Sequence, residues 1–127
     1  MSALLDTHVF VWWVTDSPRL SAAHRAMIED QDEPAYVSAV TGWEIAIKVK
    51  LGKWADAAPL LPELSGLVAR AGLQPLELTL AQAERAGSLP LVHRDPFDRL
   101  LAAQALDLDA VVATVDPAFA MLGCRVA

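Results

Sequence analysis

The sequence predicts an α/β fold in which helices cover both faces of a central, mostly parallel sheet of four or five strands. Short apolar segments alternate with stretches of helical periodicity, and this alternation is typical of parallel sheets covered on both sides. Hydrophobic residues make up 54% of the chain, enough to form a core. Its length of 127 residues matches one domain, so we expect a single domain over residues 1–127.

The predicted strands are short apolar segments. Four of them are expected: Ala3–Leu5, Ala35–Val37, Leu73–Leu76 and Ala110–Val115. Arg125–Val126 is a possible fifth strand at the edge of the sheet.

The predicted helices lie between these strands. Five are expected: Ser21–Asp30, Val40–Leu51, Leu60–Ala71, Thr79–Ala86 and Pro96–Leu106. Ser21 and Thr79 suit the N-cap position, where a side-chain oxygen accepts a backbone hydrogen bond. In the second helix the apolar residues recur every three or four positions, which is the spacing of one helix face. A further helix begins near His8, and Pro117–Ala120 forms a short helical turn.

Composition excludes several classes of protein. The single cysteine, Cys124, cannot form an internal disulfide, and one Cys with three scattered His does not build a zinc finger. No basic stretch precedes an apolar segment at the N-terminus, so no signal peptide is visible. The longest uncharged stretch, residues 7–15, is far too short to span a bilayer. We therefore expect a cytoplasmic protein without a membrane partner.

The net charge of −6 restricts how this chain could bind nucleic acid. Sixteen acidic residues against ten Lys and Arg argue against binding by bulk charge, because phosphate affinity comes from basic side chains. Binding through metal cations remains open, since acidic residues can hold such ions.

Four acidic residues are predicted to meet at one edge of the sheet. Asp6 and Asp116 directly follow the first and last long strands, Glu44 lies early in a helix after a strand, and Asp98 lies at a helix N-terminus. In parallel sheets this edge is where ligands bind. Each acid also has a plainer interpretation. The position of Asp6 and of Asp116 suits a helix cap. The N-cap and N3 positions of one helix suit Asp95 and Asp98. Glu44 could pair on the surface with a lysine four residues later.

The joint placement of the four acids favours a metal site over these separate roles. Carboxylates packed together cannot all stay ionised without cations. Oxygen ligands select hard ions such as Mg²⁺ or Mn²⁺. Such ions activate water and stabilise the charge that develops during phosphodiester hydrolysis.

Four motifs in the chain together resemble the PIN domain, and most closely the VapC-type toxin ribonucleases of type II toxin–antitoxin pairs. The motifs are Leu4-Leu5-Asp6-Thr7-His8, Trp43-Glu44-Ile45-Ala46-Ile47-Lys48, the stretch from His93 to Ala105, and Thr114-Val115-Asp116-Pro117. They occur in the family's order over essentially the whole chain, and Asp-Pro-Phe-Asp-Arg at residues 95–99 is the most specific part. Val115 departs from the family pattern, which usually has Arg or Ala at that place.

The resemblance implies a three-layer α/β sandwich and an endoribonuclease that depends on Mg²⁺ or Mn²⁺. The catalytic and metal-binding residues would be Asp6, Glu44, Asp98 and Asp116. Asp6 and Asp98 match the usual metal ligands, and the other two would complete the pocket directly or through water. Asp95 would stay a helix cap. Cleavage would leave 5′-phosphate and 3′-hydroxyl ends. The implied partners are an RNA substrate, a cognate antitoxin and a second copy of the chain.

Residues around the four acids allow two interpretations each. Thr7 and Ser38 suit hydrogen bonds to the carboxylates or helix caps, and His93 is interpreted as part of the loop before its helix. The lysines and arginines near the acids suit either a basic rim for RNA or ordinary helix-end charges. They are Lys48, Lys50, Lys53, Arg94 and Arg99. The tryptophans Trp12, Trp13 and Trp54 suit either a partner surface or packing between helices.

Three other functions compete with a nuclease. A PIN domain that has lost catalysis could act as a binding module, although the complete set of four acids argues against it. A phosphatase of the haloacid dehalogenase type would need a second Asp two residues after Asp6, where this chain has His8. A receiver-like signalling module would need paired acids after the first strand and a Lys after Thr114, and both are missing.

Overall fold

The central sheet has four parallel strands. The computed structural model describes residues 1–30 and 32–127. The strands are β1 (Ala3–Leu5), β2 (Ala35–Ser38), β3 (Gln74–Leu76) and β4 (Val111–Ala113), arranged in the order β3-β2-β1-β4. Every pairing is parallel, as the sequence predicts. The predicted fifth strand is reduced to one parallel bridge between Val126 and Val112.

The strand order reverses between β1 and β4. From β1 the chain adds β2 and then β3 on one side, and β4 then returns to pair with the other side of β1. A crevice forms at the carboxyl ends of strands where the order reverses, and ligands bind there in open α/β sheets. Asp6 follows β1 and Asp116 lies three residues after β4, so the two flank this crevice.

Seven α-helices and one 3₁₀ segment surround the sheet in the described residues. They are α1 (Thr7–Val14), α2 (Ala22–Glu29), α3 (Ala39–Lys50), the 3₁₀ segment Ala55–Leu60, α4 (Leu64–Arg70), α5 (Leu80–Ser88), α6 (Pro96–Leu108) and α7 (Ala118–Met121). The helix that the sequence predicts over Leu60–Ala71 begins only at Leu64 in the structure. Pro62 is the physical reason, because a proline forces the residue before it out of the helical region, and Leu61 is extended with ψ 148°.

The helix caps follow the predictions. Ser21 Oγ accepts a hydrogen bond of 3.0 Å from the backbone N–H of His24. Thr79 forms a capping box with Gln82, and Asp95 Oδ1 accepts one of 3.0 Å from the backbone of Asp98. These bonds fix where α2, α5 and α6 begin.

Two apolar clusters pack on opposite faces of the sheet, which gives the predicted three layers. Leu5 and Val37 point to the cluster formed with α1, α2 and α4. Leu4 and Val112 point to the cluster formed with α6 and α7. This alternation follows from the pleat of a strand, in which successive side chains point to opposite faces.

Most of the apolar stripe of α3 lies outside both cores, although Val40 at its start is buried in the second cluster. Trp43 is 57% exposed and Leu51 is 59% exposed, because α3 packs through a different face that carries Glu44 and Ile45. Trp12, Trp13 and Trp54, predicted as a partner surface or as packing, are partly buried against the first core cluster. Within the described residues, no helix has the length and apolar character needed to cross a membrane.

Candidate active site

The first acid of the cleft, Asp6, ends β1 and begins α1. Its side chain is buried, with Oδ1 accepting a hydrogen bond of 3.2 Å from the backbone of His8. Oδ2 accepts a bond of 2.6 Å from the hydroxyl of Thr114. The capping role and the placement in the crevice therefore coexist in one residue.

Asp116 lies across the crevice from Asp6, and Thr114 links the two. Thr114 Oγ1 donates to Asp6 and also accepts from the backbone N–H of Asp116 at 2.9 Å. Asp116 Oδ1 caps α7 by accepting a bond of 2.9 Å from Ala118. Asp116 therefore caps a helix and also lines the cleft. The sequence did not lead us to assign Thr114 a role. Its position two residues before Asp116 is typical of a hydroxyl that accepts a hydrogen bond from that backbone N–H.

Glu44 enters the cleft from the buried face of α3. Glu44 is only 3% exposed, so it does not form the exposed surface pair with Lys48 that one interpretation of the sequence predicted. The pair itself exists, because Lys48 Nζ donates to Glu44 Oε2 at 2.5 Å. The other oxygen, Oε1, is buried and has no hydrogen-bond partner in the described residues. A buried carboxylate oxygen without a partner is costly unless a cation completes its surroundings.

Asp98 lies in the first turn of α6 with its carboxylate in the same cleft. Its Oδ2 is 2.8 Å from Nε2 of His93, which comes from the loop before the helix. The sequence interpretation of His93 as a loop residue without a site role missed this contact. The position of His93, five residues before Asp98 in the same motif, could have indicated this contact.

The predicted residues come together in one cleft of about 510 Å³. Its lining includes all four acids, Asp6, Glu44, Asp98 and Asp116. The remaining lining residues include His8, Trp12, Lys48, His93, Asp95 and Val115. Four segments far apart in the sequence thus place their carboxylates around one space, as the sequence analysis expected.

Two of the four acids, Asp6 and Asp98, have a raised pKa in the metal-free protein. Burial raises the pKa of Asp6 above its ordinary value, and the nearby Glu44 raises it further, while the Thr114 hydrogen bond lowers it. Burial also raises the pKa of Asp98 to about 6, opposed by the His93 bond and reinforced by neighbouring carboxylates. A cation in the cleft would offset these penalties.

The donor set fits a divalent metal ion. Ligand atoms of His93, Asp98 and Asp116 all lie within 4.8 Å of one another. Glu44, whose Oε1 is buried without a hydrogen-bond partner among the described residues, lines the same cleft. The residues present therefore fit a metal ion held mainly by carboxylates.

The contacts of three neighbouring residues show which of the sequence interpretations hold. Arg99, expected in a basic rim, is 7% exposed and forms no part of the surface. It donates hydrogen bonds to five backbone carbonyls, those of Ala86, Gly87, Leu89, Pro90 and His93. Ser38 caps α3, which confirms its interpretation as a helix cap, and it bonds Gln104 at 2.5 Å. Thr7 bonds Thr41 at 3.0 Å instead of a carboxylate.

Comparison with known proteins agrees with this geometry. The family model described as PIN domain matches residues 3–123. Ribonuclease VapC22 from Mycobacterium tuberculosis is 35% identical over 107 residues, which cover 84% of this chain and 80% of that protein.

Two solved structures share the fold at lower sequence identity. The VapBC2 complex of Rickettsia felis, bound to a DNA fragment from its promoter, aligns with a TM-score of 0.71 at 14% identity, covering 100% of this chain and 98% of that chain. The sarcin-ricin loop cleaving toxin VapC20 of M. tuberculosis aligns with a TM-score of 0.66 at 14% identity, covering 97% and 96%. Sequence match, strand order and the cleft of carboxylates agree, and this chain belongs to the PIN-domain family.

Proposed function

We propose that this protein is a metal-dependent endoribonuclease and the toxin of a toxin–antitoxin pair. The observation that carries the proposal is the meeting of four carboxylates from separate chain segments at the crevice where the strand order reverses. The match to a protein named as a ribonuclease, at 35% identity over most of both chains, supports the same activity.

The residues that would hold the ion are Asp6, Glu44, Asp98 and Asp116, and these are the proposed catalytic residues. When bound, Mg²⁺ or Mn²⁺ lowers the pKa of water and offsets the charge that develops on the cleaved phosphodiester. The carboxylates hold the ion in the cleft. They need no histidine base, because the ion itself acidifies the water.

Residues beside the acids orient them and admit the substrate. Thr114 fixes the direction of the Asp6 carboxylate through a hydrogen bond of 2.6 Å. Lys48 neutralises one oxygen of Glu44 and is still partly exposed, so its ammonium is available at the edge of the cleft. Arg94 is exposed beside the acidic motif. Lys48 lines the cleft and would attract phosphate there.

Two protein partners belong to the proposal. A cognate antitoxin is supported by the Rickettsia felis neighbour, which is described as a VapBC complex. A homodimer is supported by the exposed apolar residues of α3, Trp43, Ile47 and Leu51, because such exposed side chains are typical of interfaces. Light scattering on the protein without and with its antitoxin tests the dimer, and the monomer mass at micromolar concentration would contradict it. We also propose that the protein acts in the cytoplasm.

Cleavage of a labelled structured RNA tests the enzymatic proposal. Wild-type protein should cut in Mg²⁺ or Mn²⁺, stop cutting in EDTA, and leave 5′-phosphate ends. Asp6→Asn should lose the activity, whereas Asp109→Asn should keep it. Asp109 is a matched control because it is exposed, lies outside the cleft and has a left-handed backbone that Asn also adopts. Cutting that survives Asp6→Asn would place the activity elsewhere, and a protein that binds its antitoxin but never cuts would be the binding module considered above.

A further inference from the structure

The loop before α6 brings a nitrogen ligand to the carboxylates. His93 Nε2 lies 2.8 Å from Asp98 Oδ2, and one ligand atom from each of His93, Asp98 and Asp116 lies within 4.8 Å of the other two. Two ligands in adjacent octahedral positions, with bonds of 2.0–2.1 Å, are about 2.9 Å apart. The separation of the His93 and Asp98 atoms therefore suits two ligands of one ion as well as it suits a hydrogen bond.

The backbone that carries His93 is held in place by Arg99. The guanidinium donates hydrogen bonds of 2.7 Å to the carbonyl of Pro90 and 3.0 Å to that of His93. A metal ligand must be positioned before the ion arrives if binding is to be strong. This buried arginine supplies that positioning for a loop that has no regular secondary structure.

A second observation points to a ligand at the same place. Oε1 of Glu44 is buried without a hydrogen-bond partner among the described residues, and both Glu44 and His93 line the cleft. Neither the Lys48 pair nor the helix geometry satisfies that oxygen. A cation in that cleft would offset the cost of leaving this buried oxygen without a partner.

We propose that His93 Nε2 is a direct ligand of the metal ion, and that the site therefore binds a transition ion such as Mn²⁺ in preference to Mg²⁺. Mg²⁺ takes oxygen ligands, whereas imidazole nitrogen is a good ligand for divalent transition ions. The proposal rests on the metal site of the proposed function and adds the identity of one donor and of the preferred ion. In the metal-free protein the same nitrogen bonds Asp98, so the ion would replace that hydrogen bond.

Pulsed electron paramagnetic resonance on bound Mn²⁺ tests the proposal without relying on activity. Wild-type protein loaded with Mn²⁺ should show modulation from a coordinated ¹⁴N nucleus, and His93→Gln should not. His8→Gln is the matched control, because His8 also lines the cleft but its Nδ1 is 3.9 Å from Asp6 Oδ1 and it lies outside the ligand cluster. This control should keep the ¹⁴N signal. Circular dichroism confirms that each variant is folded.

Titration calorimetry with Mn²⁺ and with Mg²⁺ gives the second readout. His93→Gln should weaken Mn²⁺ binding by about tenfold or more and Mg²⁺ binding by a smaller factor, so that the preference for Mn²⁺ falls. Two results would overturn the role of His93: Mn²⁺ binding to wild type without ¹⁴N modulation, or ¹⁴N modulation that persists in His93→Gln. Either result would still be consistent with a metal site formed by the carboxylates. Mn²⁺ that binds Asp98→Asn as well as wild type, or binds neither, would overturn the metal site itself and this proposal with it.

Discussion

Arg99 should stabilise the fold through its five carbonyl contacts instead of binding RNA. Arg99→Lys keeps the positive charge, but an ammonium has three donors and therefore leaves at least two of the five carbonyls without their bond. A hydrogen bond to a charged group contributes about 1.5–3 kcal/mol, and exposed carbonyls such as that of Gly87 can bond water instead. The expected loss is about 2–4 kcal/mol in the free energy of unfolding.

Urea unfolding of the metal-free protein, followed by tryptophan fluorescence, measures this loss. For a domain of this size the midpoint should fall by roughly 1–3 M. Arg94→Lys is the matched control, because Arg94 is exposed in the same motif and its replacement should change the free energy by less than about 0.5 kcal/mol. Equal midpoints for the two variants would refute the structural role. Weaker RNA binding by Arg99→Lys at unchanged stability would instead restore the basic-rim interpretation.

Other outcomes follow from hydrogen bonds in and beside the cleft. Thr114→Val should weaken Mn²⁺ binding by about tenfold, because Asp6 loses the hydroxyl that orients it, while Thr114→Ser should bind normally in calorimetry. In metal-free protein the raised pKa of Asp98, about 6, means that the folded state binds more protons than the unfolded state between about pH 4 and 6. The free energy of unfolding should therefore rise as pH falls through that window. If the urea midpoint of Asp98→Asn changed with pH as much as that of the wild type, this assignment would be contradicted. Ser38→Ala should cost about 1–3 kcal/mol by losing the cap of α3 and the bond to Gln104, and an altered Mn²⁺ affinity would show that Ser38 acts on the metal site instead.

The sheet and the meeting of the four acids could be predicted because both depend on chain order. Parallel strands bring their carboxyl ends to one edge, so Asp6 and Asp116 could be expected at the same edge once the strands were identified. They face one crevice because β4 pairs with β1. The motif at residues 95–99 determined the start of α6, and with it the place of Asp98. These predictions needed only local patterns and the rule for how α/β units assemble.

The features that sequence reasoning missed depend on tertiary contacts. Helical spacing identified an apolar stripe on α3 but not which face packs, and the structure buries Glu44 while leaving Trp43 exposed. The sequence gives the charge of Arg99 but not the ring of carbonyls around it. The contact of His93 with Asp98 requires the path of the loop, which those carbonyl bonds determine.

The most direct test of the account compares two neighbouring acids in single-turnover cleavage of a structured RNA with Mg²⁺ or Mn²⁺. Asp98→Asn should reduce the rate by at least about a hundredfold, because it removes a proposed metal ligand from the cleft. Asp95→Asn should stay within a fewfold of wild type, because Asn caps a helix as well as Asp does and Asp95 acts as the cap of α6. Cleavage that survives Asp98→Asn, or that depends equally on both acids, would contradict the assignment of the carboxylate cleft as the nuclease site.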